Sequence, residues 1–161
     1  AASDVYKRQD HNLTLCGQEV SLNCSSVFAC TGMDDLVIGV EICEDLWAPE
    51  PPSAVLARQG ATILLNLSAS NETVGKAAYR RSLVTGQSGR LVCGYVYADA
   101  GEGESTTDLV FAGHNMIAEN GALLSERRFA TGLTISEIDV QRLAYERRSA
   151  SREPFLSLIH I

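Results

Sequence analysis

The chain has 161 residues, 45% hydrophobic and 20% charged, the mix of a folded chain with one real core rather than of a disordered one. Its net charge is −7 and it has no basic block, which argues against nucleic-acid or anionic-membrane partners. No apolar run approaches the roughly 20 residues of a spanning helix, and five cysteines without a C-x-x-C pair fit neither a disulfide framework nor a zinc ribbon.

The first ten residues also lack the apolar stretch of a secretory signal, so a reduced, cytoplasmic setting is expected. Residues 1–9 (AASDVYKRQ) and 157–161 (SLIHI) match the middle of the chain in neither composition nor pattern. They resemble translated sequencing-adapter remnants and are set aside as non-native ends. Residues 10–156 remain as one domain, which need not be complete.

In chain order, residues 36–43 (LVIGVEIC) form the first strong signal, a β-rich apolar run suited to a strand buried on both faces. Pro49, Pro51 and Pro52 stop that strand and prepare a helix start. Residues 53–59 predict a short helix closed by Gly60, and residues 61–67 (ATILLNL) predict a second buried strand. A polar loop, 68–73, leads to a longer helix over 75–90. Its expected inner side carries Ala78, Leu83 and Leu91, its outer side Arg80, Arg81 and Gln87. Residues 91–98 (LVCGYVYA) predict a third strand. The alternation is the grammar of an α/β sheet.

Beyond Gly101 the grammar changes. Short strands over 108–112, 115–119 and 122–127 are broken by Gly113-His114 and Asn120-Gly121, which predict two tight turns and a meander. His114 is expected to be exposed in the first of them. Residues 134–140 predict one more strand, running into a charged helix over 140–149.

Cys43 ends the first predicted strand, where α/β folds place functional groups. A strand cysteine is usually core, but Glu41, Glu44 and Asp45 crowd this one with carboxylates. The segment Gly39-Val40-Glu41-Ile42-Cys43-Glu44-Asp45-Leu46-Trp47 resembles the nucleophile segment of the amidase domain of glutamine-dependent NAD synthetases. That domain is a branch of the nitrilase, or carbon-nitrogen hydrolase, superfamily. Its looser signature is met by Cys43, Asp45, Trp47 and Pro49-Glu50. The likeness continues through Asn66-Leu67-Ser68-Ala69-Ser70, Gly75-Lys76, Tyr79-Arg80-Arg81, Tyr95-Val96-Tyr97, residues 101–109 (GEGESTTDL) and Glu119-Asn120-Gly121.

The resemblance implies an α/β fold, the nitrilase-type α-β-β-α sandwich, present here in part. It implies glutamine hydrolysis through a thioester on Cys43, with the backbone amide of Glu44 helping to hold the oxyanion. The ammonia would serve an ATP-dependent amidation of deamido-NAD. The family's base glutamate and lysine lie upstream of the cysteine. This sequence departs there: its two lysines are Lys7 and Lys76, neither at the matching place, so the chain alone is expected to be inactive. Glutamine's α-carboxylate calls for a cation and donors, which Lys76 and Ser70 can supply. Glu44 is the candidate partner for the α-amino group. No metal ligands and no cofactor are expected in this chain. ATP, Mg2+ and deamido-NAD are expected in a synthetase domain of the same protein, and the full protein is expected to form a homo-oligomer. Another nitrilase-type amidase, or an inactive nitrilase-like assembly domain, would share these residues.

The remaining candidates carry less. Glu102 and Glu104 would repel a phosphate from the 101–105 loop, which is expected near the active site or at a domain contact. Cys16, Cys24 and Cys30 lack metal-ligand spacing, and Cys93 is expected inside an apolar strand as an inert thiol.

Overall fold

The computed structural model describes residues 11–23 and 25–150. The proposed non-native ends and Cys24 lie outside them. Two strands, β1 (His11–Leu15) and β2 (Gln18–Leu22), form a separate antiparallel hairpin. Its turn, Cys16-Gly17, takes left-handed backbone angles, φ 52° and 78°, as a two-residue hairpin turn requires.

The main sheet has six strands in sequence order: β3 (Val27–Ala29), β4 (Val37–Ile42), β5 (Ile63–Ser68), β6 (Gly94–Asp99), β7 (Asn115–Glu119) and β8 (Ala122–Arg127). Strands β4, β5 and β6 are parallel, and the other pairings are antiparallel. The first crossover carries α1 (Pro52–Arg58), with Pro52 at its first position, and the second carries α2 (Lys76–Leu91). Successive crossovers running the same way across a sheet place their helices on one face. Leu56, Leu64, Val84, Tyr95, Met116 and Ala118 form the core between that face and the helices.

Among the described residues the opposite face is covered at one end only. Ile138 reaches Gly94, where a Cβ would sit 2.8 Å from the Ile138 Cδ1 and 2.6 Å from the Ile63 Cδ1. At the other end Ile42, Leu67 and Ala98 lie side by side in register. Ile42 is 62% exposed and Leu67 57%. A third helix, α3 (Val140–Ala150), is tied down by Arg147, whose guanidinium donates to Val92 O, Ala57 O and Ala61 O at 3.0, 3.2 and 2.6 Å. No helix among the described residues is long and apolar enough to cross a membrane.

Four expectations are corrected. Helix α2 does not turn Ala78 inward and Arg80 and Gln87 outward. Arg80, Val84, Gln87 and Ser88 are its buried residues and Ala78 is exposed, because the groups facing it are themselves polar. Gln87 Nε2, for example, donates to Ser53 Oγ at 2.8 Å. The helix also runs on to Leu91, and Val92 breaks it at φ 49° before β6 starts at Gly94. Residues 108–112 and 134–140 contain no strand. The first of these is spent on tethers: Glu72 N donates to Val110 O at 2.7 Å, and Phe111 N to Ser105 Oγ at 3.0 Å. His114 is accordingly fully buried rather than exposed. The Asn120-Gly121 turn forms as expected, with φ 45° and 88°. The hairpin β1–β2 and strand β3 lack strong apolar runs, and of these Gly17 alone marks a turn.

Candidate active site

The site lies at the carboxyl ends of the parallel strands. Strand β4 stops at Ile42, and Cys43 opens a single 3-10 turn, Cys43–Trp47. Cys43 has φ 49°, a strained angle for a residue with a Cβ. Three sets of bonds hold the turn. Asp45 Oδ2 accepts from Ile42 N at 2.8 Å. Asn66, on the neighbouring strand, accepts from Cys43 N at 3.1 Å through Oδ1 and donates to Cys43 O at 3.3 Å through Nδ2. Ser68 Oγ sits 3.5 Å from the Cys43 Sγ and 2.6 Å from the Tyr97 hydroxyl.

A buried polar chain lies beneath this turn. Glu41, 2% exposed, accepts from Ser53 N at 2.8 Å and from the Tyr95 hydroxyl. Burial, and after it the Glu41 charge, push the Tyr95 phenol well above its ordinary range, so Tyr95 stays a donor toward Glu41. Its oxygen therefore accepts from Asn66 Nδ2, at 3.3 Å. That fixes which end of the Asn66 amide meets Cys43 N and which meets Cys43 O. Sequence reading did not single out this role for Asn66. The available signal was an amide in the middle of an apolar strand, ILLNLS, which needs partners when buried.

Cys43, Glu44, Trp47, Ser70, Asn71 and Lys76 share the lining of one cleft of about 520 Å³. All four residues predicted from the sequence are thus brought together. Lys76 is the first residue of α2, entered through Gly75 at φ 83°. Its Nζ donates to Asn71 Oδ1 at 2.6 Å and stands 5.5 Å from the Trp47 ring centre. Trp47 also packs on Tyr79, ring centres 5.2 Å apart. Glu44 is exposed at the cleft, while Ser70 is 5% exposed. Ser70 N donates to Asp99 Oδ1 at 2.7 Å, and burial raises the Asp99 carboxyl above its usual range against the opposing Ser70 bond and Arg80 charge.

The other thiols differ. Cys93 is fully buried and burial pushes it up to about 12, a protonated and unreactive thiol. Cys16 and Cys30 are exposed. Glu102 and Gly103, from the short 3-10 turn Glu102–Glu104, line a separate cleft with Asp99 and Phe129. Among the described residues no group of three His, Cys, Asp or Glu could hold a metal ion.

A cysteine at a strained strand end in a mixed sheet agrees with the family comparison, in which the carbon-nitrogen hydrolase model matches residues 3–148. The chain belongs to the carbon-nitrogen hydrolase family. It is 48% identical over 134 residues to the glutamine-dependent NAD(+) synthetase of Mycobacterium tuberculosis, covering 81% of this chain and 20% of that protein. Against the human glutamine-dependent NAD(+) synthetase it is 36% identical over 109 residues, 68% of this chain and 15% of that protein. The chain therefore spans one fifth or less of the length of these relatives. Among solved structures, the Acinetobacter baumannii glutamine-dependent NAD+ synthetase, in complex with ADP, superposes with a TM-score of 0.64 at 27% identity. That match covers 73% of this chain and 22% of that one. A Saccharomyces cerevisiae member of branch 10 of the nitrilase superfamily shares the fold, with a TM-score of 0.66 at 18% identity over 85% of this chain and 48% of that one.

Proposed function

We propose that this chain is part of the glutamine-hydrolysing unit of an NAD synthetase. The Cys43 sulfur attacks the carboxamide carbon, giving up its proton to a base, and the carbonyl oxygen becomes an oxyanion. The Asn66 amide already occupies Cys43 N, so the next backbone N–H, that of Glu44, is the donor for the oxyanion. Collapse breaks the carbon–nitrogen bond, the nitrogen leaves protonated as ammonia, and a thioester remains on Cys43. Water attacks that thioester and releases glutamate and the free thiol. Lys76 and Ser70 receive the substrate's α-carboxylate, and the Glu44 side chain receives its α-amino group. The observation that carries the reading is the cleft itself, where the strained cysteine shares a wall with a lysine, a serine and an exposed carboxylate.

The ammonia feeds an ATP-dependent amidation of deamido-NAD in a synthetase domain of the full protein, expected to be homo-oligomeric. ATP, Mg2+ and deamido-NAD belong to that domain, and no residue of this chain is assigned to them. The base glutamate and the lysine that complete the family's triad belong upstream of Cys43. Of the two lysines, Lys7 falls in the segment set aside as non-native and Lys76 lies downstream of Cys43, so the 161-residue chain by itself is expected to release no ammonia.

The deciding experiment treats the full-length enzyme carrying this chain with a glutamine analogue bearing an electrophilic ketone. The label should map to Cys43 by peptide mass spectrometry, and glutamine-driven NAD synthesis should stop while ammonia-driven synthesis continues. A label on Cys93, or a Cys43→Ala enzyme that still hydrolyses glutamine, refutes the reading.

A further inference from the structure

Two of the most deeply buried polar side chains in the molecule, Arg80 and His114, touch each other and play no part in the chemistry above. Both have zero exposure. Arg80 lies one helical turn beyond Lys76 on α2, and its guanidinium points under the loop that Lys76 reaches through Asn71. Nη2 donates to Ser70 Oγ at 3.1 Å and to Asn71 O at 3.2 Å, and Nη1 donates to Glu72 Oε2 at 3.3 Å. Two residues of the cleft wall, Ser70 and Asn71, and the residue that follows them, Glu72, are thus held by one group.

The hydrogen-bond directions along the rest of this chain are forced. A guanidinium only donates, so His114 Nδ1, 2.7 Å from Arg80 Nη1, is the acceptor. The ring proton therefore sits on Nε2, which donates to Glu126 Oε1 at 2.6 Å. Glu126 is gripped in turn by Arg81, at 2.7 Å from Nη2 and 3.0 Å from Nε. Burial pushes the Glu126 carboxyl up, but the bonds from Arg81 and His114 outweigh it and hold it below the usual range. It remains a charged acceptor.

Given the proposed glutaminase reading, we infer that His114 is a positioning residue for substrate binding. Its Nε2–H tautomer, matched to Glu126 on one side, leaves Nδ1 to accept from Arg80 and aims that guanidinium at the Ser70–Asn71 wall, where the substrate's α-carboxylate is received. A buried guanidinium is a costly way to fill space, and its Nε finds no partner among the described residues. An apolar side chain of similar volume would pack there at lower cost. What it could not do is hold Ser70, Asn71 and Glu72 in one register.

The test uses the full-length enzyme with His114→Leu, His114→Gln and Glu126→Ala. Glutamine at position 114 reproduces the pattern, with its oxygen accepting from Arg80 and its NH2 donating to Glu126. Leucine removes one bond from each partner, leaving Arg80 Nη1 with Glu72 and Glu126 with Arg81. His114→Leu is expected to raise the KM for glutamine about tenfold or more, with kcat and the rate of Cys43 alkylation by iodoacetamide close to those of the parent, and His114→Gln to restore most of the binding. Should His114→Leu fail to fold, Glu126→Ala, at the partly exposed end of the relay, is expected to raise the same KM several-fold. An unchanged KM in the folded variants, or a loss of kcat alongside the rise in KM in His114→Gln as in His114→Leu, overturns the inference. Cys43→Ala serves as the separate control: activity surviving in it defeats the glutaminase reading instead.

Discussion

The Asn66 amide is bonded to both backbone polar groups of Cys43, at 3.1 Å on the nitrogen side and 3.3 Å on the oxygen side. A strand neighbour thereby takes over the pairing that a sheet ladder would otherwise provide, at the one point where the chain must leave the sheet. The bonds offset the strain of φ 49° at Cys43, and the Tyr95 hydroxyl prevents the amide from turning over.

Replacing Asn66 with Ala removes the clamp without touching the thiol. It should lower kcat for glutamine by roughly tenfold to a hundredfold with a smaller change in KM, and cost about 1–3 kcal/mol of stability from the unmatched Cys43 and Tyr95 groups. Stopped-flow alkylation of Cys43 against urea unfolding separates the two effects. A variant with lowered stability and an unchanged alkylation rate would show that Asn66 only stabilises.

Lys76→Ala should weaken glutamine binding by about 1.5–3 kcal/mol, the range for a hydrogen bond to a charged group. The measurement is the glutamine KM, with ammonia-driven synthesis as the control. Part of any loss is local, since Lys76 also holds Asn71. An unchanged KM would assign Lys76 to the helix start alone.

Cys93 gives a pH signature. Its thiol is raised from 9.0 to about 12 by burial, so above pH 9 the unfolded chain loses a proton that the folded one keeps. The stability this thiol contributes is complete below about pH 9 and is lost as pH rises toward 12, at about 1.4 kcal/mol per pH unit. Urea midpoints across that window should fall more steeply for the parent than for Cys93→Ala. Tyr95, also raised from its ordinary 10.0, leaves a remaining slope of the same sign in the variant. Equal slopes would contradict the assignment.

The sheet end that no described residue covers should make the 161-residue chain self-associate in isolation. Ile42 and Leu67, register partners on that face, offer an apolar surface that water does not favour. Sedimentation should show concentration-dependent association that Leu67→Glu reduces. A monomeric parent at high concentration, with sharp cooperative melting, would count against it.

Local chemistry and periodicity were enough for much of the main sheet and its crossovers. Proline stops, helical spacing and β-rich runs placed β4, α1, β5, α2 and β6 to within a few residues, and Asn120-Gly121 placed the β7–β8 turn. Cys43 at a strand end, Ser70 in the polar loop and Lys76 just after it marked the cleft, through the family resemblance and because a parallel sheet brings such ends together whatever lies between them. The places of Arg80 and His114 follow instead from partners distant in the chain. An arginine on a helix and a histidine beside a glycine each read as solvent-facing, since charge and turn chemistry are local properties. Their burial depends on a hydrogen bond between residues 34 apart in sequence, and on Glu126 closing the chain from β8. Residues 108–112 were lost for the same reason: their short apolar run could have joined a sheet, but their backbone groups are taken by Glu72 and Ser105. Periodicity records which residues prefer to be buried, whereas the partners that make a buried charge affordable exist only once the chain has folded.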